Sequence, residues 1–134
     1  MDRALRQQVI ARAGGCCEYC NLPQSATCTT HQVDHIRAQK HDGSIDADNL
    51  GLSCFYCNSY KGSNVAGYDP ESDEFTRLYN PRSDRWADHF HWDGPHLEGT
   101  TPVGRTTIHV LRIYEPLRVE HRRMLIESGD FGLQ

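Results

Sequence analysis

The sequence has no apolar run approaching the length of a membrane span, and its opening Met1-Asp-Arg-Ala-Leu-Arg6 lacks the apolar core of a secretory signal. These absences predict a cytoplasmic protein with no membrane partner. Net positive charge is also missing: 14 Lys and Arg stand against 18 Asp and Glu, for −4 with histidine neutral. That excludes a chain that coats nucleic acid with its whole surface, because phosphate affinity needs concentrated Lys and Arg. Any such affinity must come from local patches. There is no internal repeat, which excludes a solenoid or other repeat array. Neither a recognition helix nor a base-reading motif is present, so no sequence specificity is encoded in a recognisable form. Hydrophobic residues make up only 37% of the 134. That is enough for one domain with a modest core, which bound metal would usefully supplement.

Along the chain, residues 2–13 contain good helix formers, with Leu5, Val9 and Ala13 at helical spacing, and Gly14-Gly15 follow as a stop. The β-branched stretch 29–36 predicts a strand that ends on Asp34 and His35. Residues 37–49, rich in Gly, Ser, Asp and Lys, predict an exposed loop that returns to a second strand at Leu50–Ser53. A helix then enters through Cys54–Lys61 and stops at Gly62. The acidic, turn-prone segment 68–74 marks the start of a C-terminal extension. In that extension Thr101-Pro102 and Glu115-Pro116 each open a helix, the first presenting Val103, Thr107, Val110 and Leu111 on one face and the second ending at Gly129. The expected organisation is one domain over 1–134, with a core in 1–67 and the extension 68–134 packed on it.

Six cysteines without a secretory signal point to metal ligands or reduced thiols rather than disulfides. Cys17-x-x-Cys20 and Cys54-x-x-Cys57 each have the spacing with which two thiolates grip one Zn²⁺ from a tight turn. Together they make a tetrahedral Cys₄ set. Four protein ligands leave no open position for water, so such a zinc is structural and contributes folding energy. Cys16 is the alternative to Cys17, at a spacing one residue longer. Cys16 and Cys28 otherwise read as ordinary reduced side chains.

Between the two pairs stand Val33-Asp34-His35-Ile36, then Asp48-Asn49-Leu50, then Cys57-Asn58 with Lys61-Gly62 beyond. In this order, bracketed by the paired cysteines, residues 15–65 resemble the HNH endonuclease family. The form resembled is zinc-supported, and its last His is replaced by Asn. The resemblance implies an α+β fold: a small ββα-metal core with a Cys₄ zinc knuckle, followed here by a mainly helical extension. It implies hydrolysis of nucleic-acid phosphodiester bonds, DNA above RNA, since the family's substrates are predominantly duplex DNA. On the matched positions, His35 is the expected general base toward water and Asp34 a ligand of a catalytic divalent metal. Asn58 is the final metal ligand, an amide oxygen that suits Mg²⁺ or Mn²⁺. Asn49 is expected to hold the loop and orient the histidine. His31, four residues before His35, reads either as a partly exposed strand residue or as a further group near the metal.

Basic residues around this motif are the expected phosphate contacts: Lys61 three residues beyond Asn58, and Arg37 and Lys40 in the loop after His35. Arg82 and Arg85 in the extension join them. Trp86 and Trp92 nearby read either as base-stacking groups or as cover over the small core. Between Thr101 and Ile126, five arginines (105, 112, 118, 122, 123) against two glutamates make the best candidate DNA-facing surface. Two function classes follow. One is the endonuclease. The other is a zinc-stabilised nucleic-acid-binding adaptor with an idle centre, and the intact Asp34-His35 pair favours the enzyme.

Overall fold

In the computed structural model, which describes residues 1–132, the chain opens with helix α1 (Arg3–Arg12). Asp2 caps it, its Oδ1 accepting from the Ala4 amide at 3.1 Å. Strand β1 (Gln32–His35) pairs antiparallel with β2 (Leu50–Ser53), setting Val33 opposite Leu52 and His35 opposite Leu50. β1 starts later than the composition of 29–36 suggests, for a visible reason. The Gln24 side chain holds this stretch, donating to Thr29 O at 2.9 Å and accepting from His31 N at 2.6 Å. The backbone is thereby taken out of reach of a ladder partner.

Helix α2 (Phe55–Lys61) follows β2 directly. Its cap is Cys54, whose sulfur accepts from the Cys57 amide at 3.5 Å, and it ends at Gly62 with φ +51°. Val9, Leu50 and Leu52 form the core here, with Leu5, Ile10, Ala13 and Val33 packed around them. The apolar stripe of α1 therefore lies on the β1–β2 hairpin. These elements belong to one compact unit, Met1–Val65 with Asn80–Ser83.

The second unit is Ala66–Tyr79 with the chain from Asp84 onward. Both expected helices are present. α4 (Pro102–Val110) is capped by Thr101 Oγ1, which accepts from Gly104 N at 3.1 Å, and α5 (Pro116–Ser128) ends at Gly129 with φ +80°. Two hairpins that the sequence did not announce accompany them: β3 (Ala66–Tyr68) with β4 (Phe75–Arg77), and β5 (Phe90–Asp93) with β6 (His96–Gly99). A short helix α3 (Trp86–His89) leads into β5. The extension is thus mainly helical, as expected, with two short hairpins added to its helices. α4 lies so close to β6 that a Cβ on Gly99 would sit 2.4 Å from Arg105 N, and so close to the end of α3 that one on Gly104 would sit 2.1 Å from His89 O. Only glycine fits either place. Tyr79, Phe90, Trp86, Trp92 and Phe131 meet in that order, each ring against the next with centroids 5.2–6.1 Å apart. Both tryptophans are therefore committed to packing in this unit. Among the described residues no helix is long and apolar enough to cross a membrane.

Candidate functional site

The segment Cys17-Glu18-Tyr19-Cys20 makes a knuckle closed by Asn21 N donating to Cys17 O and Cys17 N donating to Leu22 O, both at 2.9 Å. Asn21 takes the left-handed conformation this turn demands, with φ +65°. Across from it, the Cys54 cap and the first turn of α2 form the second knuckle. The sulfurs of Cys17, Cys20, Cys54 and Cys57 all lie within 4.8 Å of one another and all four residues are buried. Cys20 and Cys54 sulfurs are 3.7 Å apart. A tetrahedron of thiolates around Zn²⁺ at about 2.3 Å has edges of about 3.8 Å, so the set fits zinc. Burial, together with the neighbouring cysteines, pushes the Cys17 and Cys57 thiols well above the ordinary range. A cation is what would hold them as thiolates. Cys17, not Cys16, belongs to the cluster. Cys16 instead points its thiol at Gly14 O, 3.7 Å away, and Cys28 is exposed.

The two residues inside the first knuckle reach the hairpin. Glu18 pairs with β2 as a strand would, its amide donating to Leu52 O and its Oε2 accepting from Leu52 N, each at 2.8 Å. Its Oε1 takes an ion pair from Arg82. Arg82, expected to meet phosphate, is therefore already partnered and mostly buried. Tyr19 is fully buried and donates from its hydroxyl to Asp34 Oδ2 at 2.8 Å. Burial, with the Asp34 charge beside it, keeps this phenol far above its usual titration range.

Asp34 lies at the end of β1, 4% exposed. Its Oδ1 takes an ion pair from Lys61 Nζ at 3.1 Å, and the same ammonium donates to the carbonyls of His35 and Ile36, each at 3.2 Å. Lys61, expected to offer its charge to substrate, is 1% exposed and fully engaged. Its long side chain folds back along α2 to the strand end instead of reaching outward. Burial holds the Asp34 carboxyl above its ordinary range, and Lys61 and the Tyr19 hydroxyl offset only part of that rise.

Asp34, His35 and Asn58 line one pocket of about 310 Å³ with Val33, Ala38, Gln39, Gly62 and Ser63. Each Asp34 oxygen has one hydrogen-bond partner, which leaves a lone pair apiece. With the Asn58 amide oxygen these are hard donors of the kind Mg²⁺ or Mn²⁺ takes. Asn49 makes three side-chain bonds, all to backbone: its Oδ1 accepts from Arg37 N at 2.9 Å, and its Nδ2 donates to Arg37 O at 3.0 Å and Ser44 O at 2.7 Å. Its carbonyl also accepts from Ile36 N at 2.9 Å. It clamps the loop immediately after His35. Arg37, Lys40 and His41 in that loop are exposed, and the Arg37 guanidinium also caps His41 O.

Other expected groups lie elsewhere. His31 is buried, neither partly exposed nor free to reach a metal, with Nε2 against Leu22 O at 2.8 Å. In the second unit, Arg105 grips Asp69 with two bonds of 3.1 and 2.9 Å. Arg118 and Arg122 are buried and donate to Leu111 O, Pro95 O and Ile113 O, while Arg123 pairs with Glu120 and Glu127. Four of the five arginines counted on for a DNA-facing surface are thus partnered within the unit, Arg118 and Arg122 in its interior and Arg123 on its surface. Arg85 remains exposed at the start of α3. Sequence reasoning missed Glu18 and Tyr19. The available signal was position, since a polar-tipped aromatic held between two metal ligands must bury its ring and find an acceptor.

Residues 17–64 match the model of the HNH endonuclease family. The match supports a nuclease or nucleic-acid-binding function for this segment. No curated protein and no solved structure matches the chain.

Proposed function

We propose, from the match of residues 17–64 to the HNH endonuclease family, that the chain is a metal-dependent endonuclease that hydrolyses phosphodiester bonds, with DNA as substrate. The observation that carries this reading is the meeting of Asp34, His35 and Asn58 in one pocket, next to a separate and closed set of four cysteines. A binding module has no chemical need of a carboxylate, an imidazole and an amide around a common space.

In this reading the His35 imidazole accepts a proton from the attacking water, the role for which imidazole is best suited at neutral pH. Asp34 and Asn58 hold a divalent cation, Mg²⁺ or Mn²⁺, which when bound neutralises charge on the scissile phosphate and the leaving oxygen. Asn49 keeps the loop after His35 closed on the strand end, so the imidazole is presented from a fixed backbone. Arg37 and Lys40 on that loop, and Arg85, supply contacts to the flanking phosphates. The four cysteines hold a structural Zn²⁺ and take no part in the reaction.

The test is a cleavage assay of the purified protein on supercoiled plasmid, single-stranded DNA and RNA, with Mg²⁺, with Mn²⁺ and with no added divalent metal. Cutting of plasmid that requires the added metal is the expected result. Binding without cutting of any substrate under every metal condition would overturn the enzyme and leave the adaptor.

A further inference from the structure

The Asp34 carboxylate has two partners, and they differ in how firmly they are fixed. Lys61 arrives on a flexible four-carbon stem, and its ammonium is divided among Asp34 and two carbonyls. Tyr19 arrives on a rigid ring with two side-chain torsions, so its hydroxyl goes where its backbone puts it. That backbone is held on both sides. Cys17 and Cys20 flank it within the four-cysteine cluster, and Glu18 is locked to Leu52 by bonds from both its amide and its carboxylate. The ring itself is wholly buried. The 2.8 Å bond to Oδ2 is therefore a fixed link from the zinc knuckle to the pocket carboxylate.

We propose that Tyr19 is a positioning residue for the catalytic-metal site: its hydroxyl, set in place by the zinc knuckle, holds the Asp34 carboxylate turned to receive the cation. This rests on the reading of Asp34 as a ligand of that cation. The structural zinc then does more than hold the fold, because the knuckle it closes also orients a group in the pocket. Hydrogen-bond partners behind a metal-binding side chain typically matter 10- to 100-fold in metal affinity, and a fixed donor is worth most where the carboxylate would otherwise rotate. The hydroxyl is buried and bonded to the Asp34 carboxylate, so its effect appears first in cation binding.

The experiment uses the full-length zinc-loaded protein and Mn²⁺ alone, with the dissociation constant read from the spin-resonance signal of free Mn²⁺ and zinc content measured on the same samples. Tyr19→Phe should keep its zinc and bind Mn²⁺ about 10- to 100-fold more weakly. Asp34→Asn should weaken Mn²⁺ binding at least as much, and the double variant should bind no more weakly than Asp34→Asn alone. If Tyr19→Phe keeps both zinc and wild-type Mn²⁺ affinity while Asp34→Asn loses affinity, the positioning role is wrong and the ligand reading stands. If Asp34→Asn binds Mn²⁺ like wild type, the ligand reading itself falls. A Tyr19→Phe protein that loses zinc or does not fold would assign the residue to the knuckle's own stability, which also overturns the proposal.

Discussion

At the scale of single residues, lysine and aspartate are the types least expected inside a protein, yet Lys61 and Asp34 sit there together. Their spacing in the chain makes Lys61 a plausible phosphate contact, and nothing in residue type or helical phase reveals that it turns inward. The carboxylate waiting at the end of β1 decides it, and that is a tertiary fact. Removing one partner of a buried ion pair leaves an uncompensated charge and typically costs about 3–5 kcal/mol. Lys61→Gln should accordingly lower stability by about 3 kcal/mol in urea unfolding. A change within about 0.5 kcal/mol, as expected of an exposed lysine, would return Lys61 to the surface role. Asn49 was better legible. An Asn just before a strand suggests a turn clamp, and its three backbone bonds make it one.

At the scale of elements, what could be read depended on whether local chemistry marks the ends. α4 and α5 begin at Pro102 and Pro116, α5 stops at Gly129 and α2 stops at Gly62, and these residues favour those positions intrinsically. The strands of the second unit are three or four residues long and carry little alternation, so they escaped notice. One signal was present. Asp93-Gly94-Pro95-His96 closes β5–β6 with Gly94 at φ +57°, a glycine placed first in a two-residue hairpin turn. The other hairpin is organised by Asp69, which lay within a stretch that reads only as an acidic boundary. Its carboxylate accepts from Glu71 N and Ser72 Oγ and receives the Arg105 fork from α4. The Arg105 bonds hold its titration well below the usual carboxylate range. A depressed carboxyl contributes stability above its unfolded pKa of about 3.9, and this is lost as pH falls through that value toward the folded one. Thermal unfolding of wild type and Asp69→Asn should therefore differ clearly at pH 7, with the gap narrowing below about pH 4. A gap that stays constant with pH would remove the ion pair from the account.

At the scale of the whole molecule, two compact units divide the chain, and the paired cysteines and the HNH-like residues all fall in the first. Among the described residues, Val9, Leu50 and Leu52 form a buried core cluster in it, and the four cysteines are buried as well. In a chain of modest apolar content, zinc bound by these cysteines would add directly to stability, since metal affinity at a structural site is folding energy. Cys54→Ser should lose zinc and lower the midpoint of thermal unfolding by well over 10 °C, whereas Cys16→Ser should change neither. The zinc set was legible because spacing within each pair is a local property. The charge distribution was not, because internal pairing of arginines depends on the folded surroundings. Arg105, Arg118, Arg122 and Arg123 all found partners inside the second unit. The proposed substrate contacts accordingly fall to Arg37, Lys40 and Arg85, which are exposed.

The most direct measurement is plasmid cleavage by His35→Ala beside wild type, both assayed with Mn²⁺ and both analysed for zinc. The substitution should retain the zinc of wild type and reduce the cleavage rate at least about 100-fold, the contribution expected of a general base. Cleavage at the wild-type rate, or loss of zinc from His35→Ala, would contradict the separation of a reactive centre at His35 from a structural one at the four cysteines.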